Sequence, residues 1–107
     1  MAMAQQESSE HEKLISSSNS LRIAFQDQLI SLSEDLCAEG MISNDNKTEV
    51  LNQSTPLPNR ASKLVDLVTN RVKVMKEDYQ TFVTLLKRNQ RAYKPILVIR
   101  KFVYLVV

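Results

Sequence analysis

Apolar residues recur at helical spacing along most of this chain. Between residues 26 and 39, leucines follow one another at intervals of three and four residues, which places them on one face of a helix. The clearest stripe lies within residues 59–74, where apolar residues occupy i, i+3, i+4, i+7 and i+11 counted from Ala61. The pattern therefore predicts an all-α fold.

Polar residues, one glycine and two prolines divide these stripes into separate helices. The Ser- and Asn-rich residues 16–20 are expected to bend or break the first helix, because their side chains compete for backbone hydrogen bonds. Gly40, the only glycine, is expected to end the second helix in the left-handed conformation, and Ser43 to cap the third. Pro56 and Pro58 predict an extended connection before the fourth helix.

The remaining boundaries place helices at residues 44–52, at 59–74, from 77 onward and at 92–104. The last of these is the hardest to assign, because residues 91–107 are β-branched and aromatic, which is typical of a strand. A lone strand in a helical domain has no sheet to join, so a helix is expected there. The apolar helix faces predict one core, made of Leu14, Leu21, Phe25, Leu29, Leu32, Leu36, Ile42, Leu51, Ala61, Leu64, Val65, Val68, Val72, Tyr79, Phe82, Val83 and Leu86.

The length and composition are those of one small globular domain. The 107 residues are 43% hydrophobic and 24% charged, and we expect a leader at 1–8, a domain at 9–104 and a tail at 105–107. The single cysteine rules out an internal disulfide and favours a reducing compartment, so a cytoplasmic location is expected. No run of 18 apolar residues occurs, so no membrane span is expected.

Charge is distributed unevenly between the two halves of the chain. Residues 1–50 hold nine acidic and three basic residues, a net charge of −6, whereas residues 51–107 hold three acidic and eleven basic residues, a net charge of +8. A domain with halves of opposite sign could associate with copies of itself. The alternative is that the charges form solvated helix faces and the asymmetry is accidental.

The sequence offers no recognisable catalytic or metal-binding motif. His11 is the only histidine and lies in the polar start, and one glycine cannot build a phosphate-binding loop. Cys37, the only thiol, lies on an apolar stripe and is expected to be a small buried hydrophobe. We therefore predict no enzyme activity, no catalytic residue, no metal ligand and no cofactor.

Three segments in order carry a resemblance to a known family. They are Leu-Cys-Ala-Glu-Gly-Met-Ile-Ser at 36–43, Asn-Arg-Ala-Ser-Lys-Leu-Val-Asp-Leu-Val at 59–68, and Asp-Tyr-Gln-Thr-Phe-Val-Thr-Leu-Leu-Lys at 78–87. Together they resemble a caspase-recruitment domain (CARD) of the death-fold superfamily. Death and death-effector domains share much of this apolar pattern, and the corner at 40–43 with the Arg-Ala pair at 60–61 favours the CARD.

The resemblance implies a six-helix antiparallel Greek-key bundle that acts as a non-enzymatic adaptor. Such domains bind other CARD-containing proteins, whether caspases, adaptors or receptors, in apoptotic and inflammatory signalling and innate immunity, and they often form homo-oligomers or filaments. A common contact sets an acidic patch on helices two and three against a basic patch on helices one and four. Carried onto this chain, the acidic patch is Glu34, Asp35, Glu39, Asp45 and Glu49, and the basic patch is Arg22, Arg60, Lys63, Arg71 and Lys73.

Other functions compete with the adaptor. The basic region 87–101, with Tyr93 inside it, would suit a nucleic-acid-binding helical domain, but cations also suit a helix end, so no nucleic acid is expected. The apolar stretch after residue 95 would alternatively lie on a membrane surface. A coiled-coil-like scaffold or a piece of a larger helical protein is a further possibility. The short helices and the break at Pro56 and Pro58 disfavour a long coiled coil.

Overall fold

The computed structural model describes residues 9–99, and all regular secondary structure in that range is helical, as the sequence predicts. The helices are α1 (Ser9–Ser16), α2 (Ser18–Asp27), α3 (Leu29–Ala38), α4 (Asn44–Val50), α5 (Leu57–Val74), α6 (Asp78–Arg88) and α7 (Gln90–Leu97). None of these helices is both long enough and apolar enough to cross a bilayer. The leader predicted at 1–8, the end of the helix predicted at 92–104 and the tail predicted at 105–107 lie outside the described residues.

The first predicted helix is broken, as its serine-rich sequence indicates. Ser17 separates α1 from α2 and is itself buried. A second break follows at Gln28, which ends α2 and precedes the first residue of α3. The described residues therefore form seven helices, because one predicted helix is present as two consecutive pieces.

The corner after α3 has the predicted glycine geometry. Gly40 has a φ of 79°, in the left-handed region that favours glycine. Its N–H donates to the carbonyl of Cys37 at 3.0 Å, and the N–H of Met41 donates to the carbonyl of Leu36 at 2.9 Å. These two bonds form a Schellman motif, and both Met41 and Leu36 are buried in the core.

The starts of α4 and α5 follow from a capping side chain and from proline. The Ser43 hydroxyl accepts from the N–H of Asn46 at 3.0 Å, and the Asn46 side chain accepts from the N–H of Ser43 at 3.3 Å. This reciprocal pair satisfies two backbone donors. Pro56 precedes α5, but Pro58 lies inside its first turn, so α5 begins at Leu57, two residues before the predicted start. A proline is tolerated there because the first-turn N–H groups have no partner within the helix.

The core surrounds α5, against which α1, α2, α4 and α6 pack, with α2 making the most extensive contact. The predicted core residues are buried except for Leu51, which is half-buried; that prediction was wrong because the rotation of α4 buries the preceding residue instead. Cys37 is also only half-buried, at the edge of the core. The core also contains residues that the sequence pattern did not select, namely Ala24, Met41, Val50, Leu85, Tyr93 and Ile96.

The strand-like C-terminal sequence forms a helix as far as the structure describes it. Helix α7 begins at Gln90, two residues earlier than predicted, and ends at Leu97 rather than near 104. Tyr93 has a non-helical conformation (φ −102°, ψ 15°) that kinks the helix just before Pro95. The kink accommodates the proline ring, which would otherwise clash with the preceding turn. Burial of Tyr93 and Ile96 holds this helix against the bundle and overrides local strand propensity.

Candidate interaction surface

The predicted acidic patch lies on α3, on the residue that ends it and on α4, and two of its residues have partners on α6 and α7. The Tyr93 hydroxyl donates to a carboxylate oxygen of Asp35 at 2.5 Å. The guanidinium of Arg88 donates to the carboxylate of Glu39, also at 2.5 Å, and this bond raises the pKa of Arg88. Asp35 and Glu39 therefore link α3 to α6 and α7, which leaves them less available to a second protein.

The other three acidic residues of the patch face solvent. Glu34, Asp45 and Glu49 are all exposed. The Glu49 carboxylate lies 3.1 Å from the ammonium nitrogen of Lys63, with both side chains about half exposed. Within residues 9–99, Glu34 and Asp45 form neither a side-chain hydrogen bond nor an ion pair. These three carboxylates, together with the exposed but paired Glu39, form the part of the acidic patch that a partner could reach.

Two of the predicted basic residues on α5 support neighbouring segments. The Arg60 side chain donates to the backbone carbonyl of Thr55 at 2.9 Å, which fixes the connection before α5. Arg71 pairs with Asp78 at 2.5 Å, which joins the last turn of α5 to the first turn of α6. Because both arginines are half-buried and engaged, their charges act mainly within the fold.

The remaining basic residues are Arg22, Lys63 and Lys73. Arg22 is half-buried on α2 and donates to the side-chain oxygen of Asn19 at 2.6 Å. Lys63 and Lys73 are exposed on α5, and Lys73 forms no ion pair in the part of the chain that the structure describes. Since α2 and α5 pack closely together, Arg22 and the α5 lysines lie on two neighbouring helices.

The Glu49–Lys63 pair is the point where the two predicted patches meet. It joins α4 to α5 across an exposed surface, with 59% of the Glu49 side chain and 46% of the Lys63 side chain accessible. An exposed pair of this kind contributes at most about 1 kcal/mol. Either residue could therefore exchange its partner for an opposite charge on another molecule at little cost.

Tyr93 supports the fold, although it lies within the basic region 87–101 that would suit nucleic acid. It is fully buried, and its partner Asp35 is 58 residues away in the chain. A buried ring is not available to stack on a base, so the basic region lacks the aromatic contact expected of it. The apolar, strand-like composition around Tyr93 was the one sequence feature that indicated its burial. Nothing in the local sequence predicted its hydrogen bond to Asp35.

Alkaline pH should destabilise the protein through Tyr93. Burial, followed by the hydrogen bond to Asp35, raises the pKa of Tyr93 well above its usual value of about 10. As pH rises, Tyr93 loses its proton in the unfolded chain before it does so in the folded chain. Its contribution to the free energy of unfolding is therefore complete below about pH 10 and falls at higher pH. Urea unfolding between about pH 8 and pH 11 should show a smaller alkaline loss of stability for Tyr93→Phe than for the unmodified chain. Parallel pH profiles would contradict this assignment.

The end of α6 and α7 form a separate basic surface. Lys87, Gln90, Arg91, Lys94 and Leu97 line a groove of about 590 Å³. Lys87, Arg91 and Lys94 are exposed, and none of them pairs with a carboxylate among residues 9–99. The groove therefore concentrates positive charge next to a half-buried apolar side chain.

Comparisons of this chain with protein-family models, with curated proteins and with solved structures found no match.

Proposed function

We propose that this chain is a non-enzymatic adaptor domain of the CARD type, which associates with other CARD-containing proteins and with copies of itself. In this proposal α1 and α2 together are the first helix of a six-helix Greek-key death fold, and α3 to α7 are the second to sixth. The glycine corner after α3 and the serine cap of α4 support the proposal, because both occur within the segment at 36–43 that resembles the CARD motif. Apoptotic or inflammatory signalling in the cytoplasm is the expected setting.

The observation that carries the proposal is the arrangement of exposed charge on neighbouring helix pairs. Helices α3 and α4 pack together and expose Glu34, Asp45 and Glu49, while α2 and α5 pack together and carry Arg22, Lys63 and Lys73. A contact between the acidic pair of one molecule and the basic pair of another is heterologous, so it leaves one surface of each kind open for the next molecule. Rim charges of this sort set specificity and association rate.

Reversing one charge on either side should weaken self-association. Glu49→Lys and Lys63→Glu are each expected to raise the dissociation constant about tenfold at low salt, because each replaces an attraction by a repulsion. A mixture of the two variants should assemble, since the new lysine of one chain can face the new glutamate of the other. Light scattering after size-exclusion chromatography, at low and high salt, measures both effects.

Lys76→Glu provides the charge-matched control for Lys63→Glu, because Lys76 is exposed in the turn between α5 and α6 and lies outside both patches. Its association should equal that of the unmodified chain after allowance for net charge. The charge-complementary contact is excluded if Lys63→Glu associates no more weakly than this control, and Glu49→Lys no more weakly than the unmodified chain, while both variants remain folded.

A further inference from the structure

Exposed isoleucine and carboxylate side chains alternate along α2 and α3. Ile23 and Asp27 are four residues apart on α2, and Ile30 and Glu34 are four residues apart on α3, so each pair shares one face of its own helix. Ile23 is 70% exposed and Ile30 is 61% exposed, so both of these large apolar side chains face solvent. Asp27 and Ile30 also line one groove, together with Leu57 of α5. We call Ile23, Asp27, Ile30 and Glu34 the acidic stripe.

The basic groove of α6 and α7 carries the opposite charge. Lys87 lies on α6, and Arg91 and Lys94 lie on α7, beyond the break between the two helices at Asn89. Val98, which follows α7, is 58% exposed. Lys87 and Lys94 lie in the last turns of their helices, where the helix dipole favours a cation. Arg91 lies in the first turn of α7, where a cation gains nothing from that dipole. Arg91 is exposed and has no carboxylate partner within the described range, so its charge is available to a second molecule.

We propose that the basic groove of one molecule receives the acidic stripe of a second copy. The two surfaces carry opposite charges, and each carries exposed apolar side chains. Asp27 and Glu34 would meet Lys87, Arg91 and Lys94, while Ile30 would cover Leu97 and Val98. The groove and the stripe are different surfaces, so this contact is heterologous and propagates from molecule to molecule.

This contact deepens the proposed function, on which it rests, by supplying a second self-association surface beside the α3–α4 and α2–α5 patches. A chain with two heterologous contacts can bind neighbours in two directions. Glu34 belongs to both the acidic patch and the acidic stripe, so a test that separates the two contacts must leave it unchanged. Asp27 and Arg91 belong to the second contact alone.

The test uses Arg91→Glu and Asp27→Lys in the full chain. Arg91→Glu places an acid in the groove opposite an acidic stripe, and Asp27→Lys places a base on the stripe opposite a basic groove. Each variant alone should lose at least about tenfold in association at low salt, whereas an equimolar mixture should regain it. Light scattering measures association, and circular dichroism confirms that both variants remain helical. Lys76→Glu again serves as the charge-matched control for Arg91→Glu.

The stripe-to-groove contact would be overturned if the mixture failed to assemble. It would also be overturned if Arg91→Glu associated as strongly as the Lys76→Glu control. A further result would also overturn it: the chain binds single-stranded oligothymidylate in a salt-sensitive way, and Arg91→Glu abolishes this binding but leaves self-association unchanged. The groove would then be assigned to nucleic acid. The two proposals fail separately. If Lys63→Glu loses association and Arg91→Glu does not, only the contact between the acidic and basic patches is supported. If Arg91→Glu loses association and Lys63→Glu does not, the contact between the patches is excluded.

Discussion

Replacing Phe82 with alanine is expected to lower the free energy of unfolding by about 3–5 kcal/mol. Phe82 on α6 is fully buried, and its ring centroid lies 6.4 Å from that of Phe25 on α2, which is equally buried. The substitution removes apolar surface from the core and leaves a cavity that rigid helices cannot close. It also removes the tilted ring contact between Phe25 and Phe82. Such a loss is a large fraction of the stability of a domain of this size.

Urea unfolding followed by circular dichroism measures this effect, and high salt keeps association from contributing to stability. At an m-value of about 1–3 kcal/mol/M, the midpoint should fall by more than about 1 M. Phe82→Leu is the matched control, because it keeps most of the apolar volume and loses only the ring contact. We expect it to cost far less than the alanine variant. A midpoint for Phe82→Ala within about 0.3 M of the unmodified chain would mean that α6 does not pack here as described.

Local pattern predicted the elements whose structure depends on nearby residues. The stripe of α5 and the left-handed Gly40 needed only spacing and backbone preference, and both are found. The division between α1 and α2 likewise follows from a run of serines. Details that depend on how a helix is rotated in the bundle were less predictable. Val50 rather than Leu51 is fully buried, although the two residues are adjacent and equally apolar.

The C-terminal helix shows tertiary packing overriding local preference. Its sequence favours a strand by composition, and Pro95 stands near the end of the helix rather than in its first turn. A strand at this point would have left Tyr93 and Ile96 without the core positions that they fill. Burial of these two side chains explains why the helix forms despite the kink. The exposed cations of this helix lie on the surface that remains once those two residues face inward.

The roles of the charged residues were the least predictable part of the candidate site. Charge counts alone could not distinguish carboxylates that support the fold from carboxylates that face a partner. Asp35 and Glu39 look like their neighbour Glu34 in the sequence, yet they bond to residues 58 and 49 positions away, and Glu34 does not. Which side a carboxylate occupies on α3 decides this difference, because one flank of the helix faces α6 and α7 while the other faces solvent.

Leu64→Ala is expected to cost about 2–5 kcal/mol. Leu64 is fully buried in α5, the helix that contacts α1, α2, α4 and α6, so a cavity at this position borders several packed helices at once. The same central position connects stability to function, because α5 carries Lys63 one residue away and packs against the α2 helix of Arg22. Loss of packing around α5 would therefore also disturb the basic patch.

Leu57→Ala is the matched control, since Leu57 belongs to the same helix and is 38% exposed. It should lower the free energy of unfolding by less than about 1 kcal/mol, which separates burial from helix propensity as the cause. Both variants are measured by urea unfolding at high salt, as for Phe82. Equal midpoints for the two variants would show that α5 is rotated from the orientation described here. The assignment of its lysines to an exposed patch would then fail with it, because the same rotation places Leu64 inside and Lys63 outside.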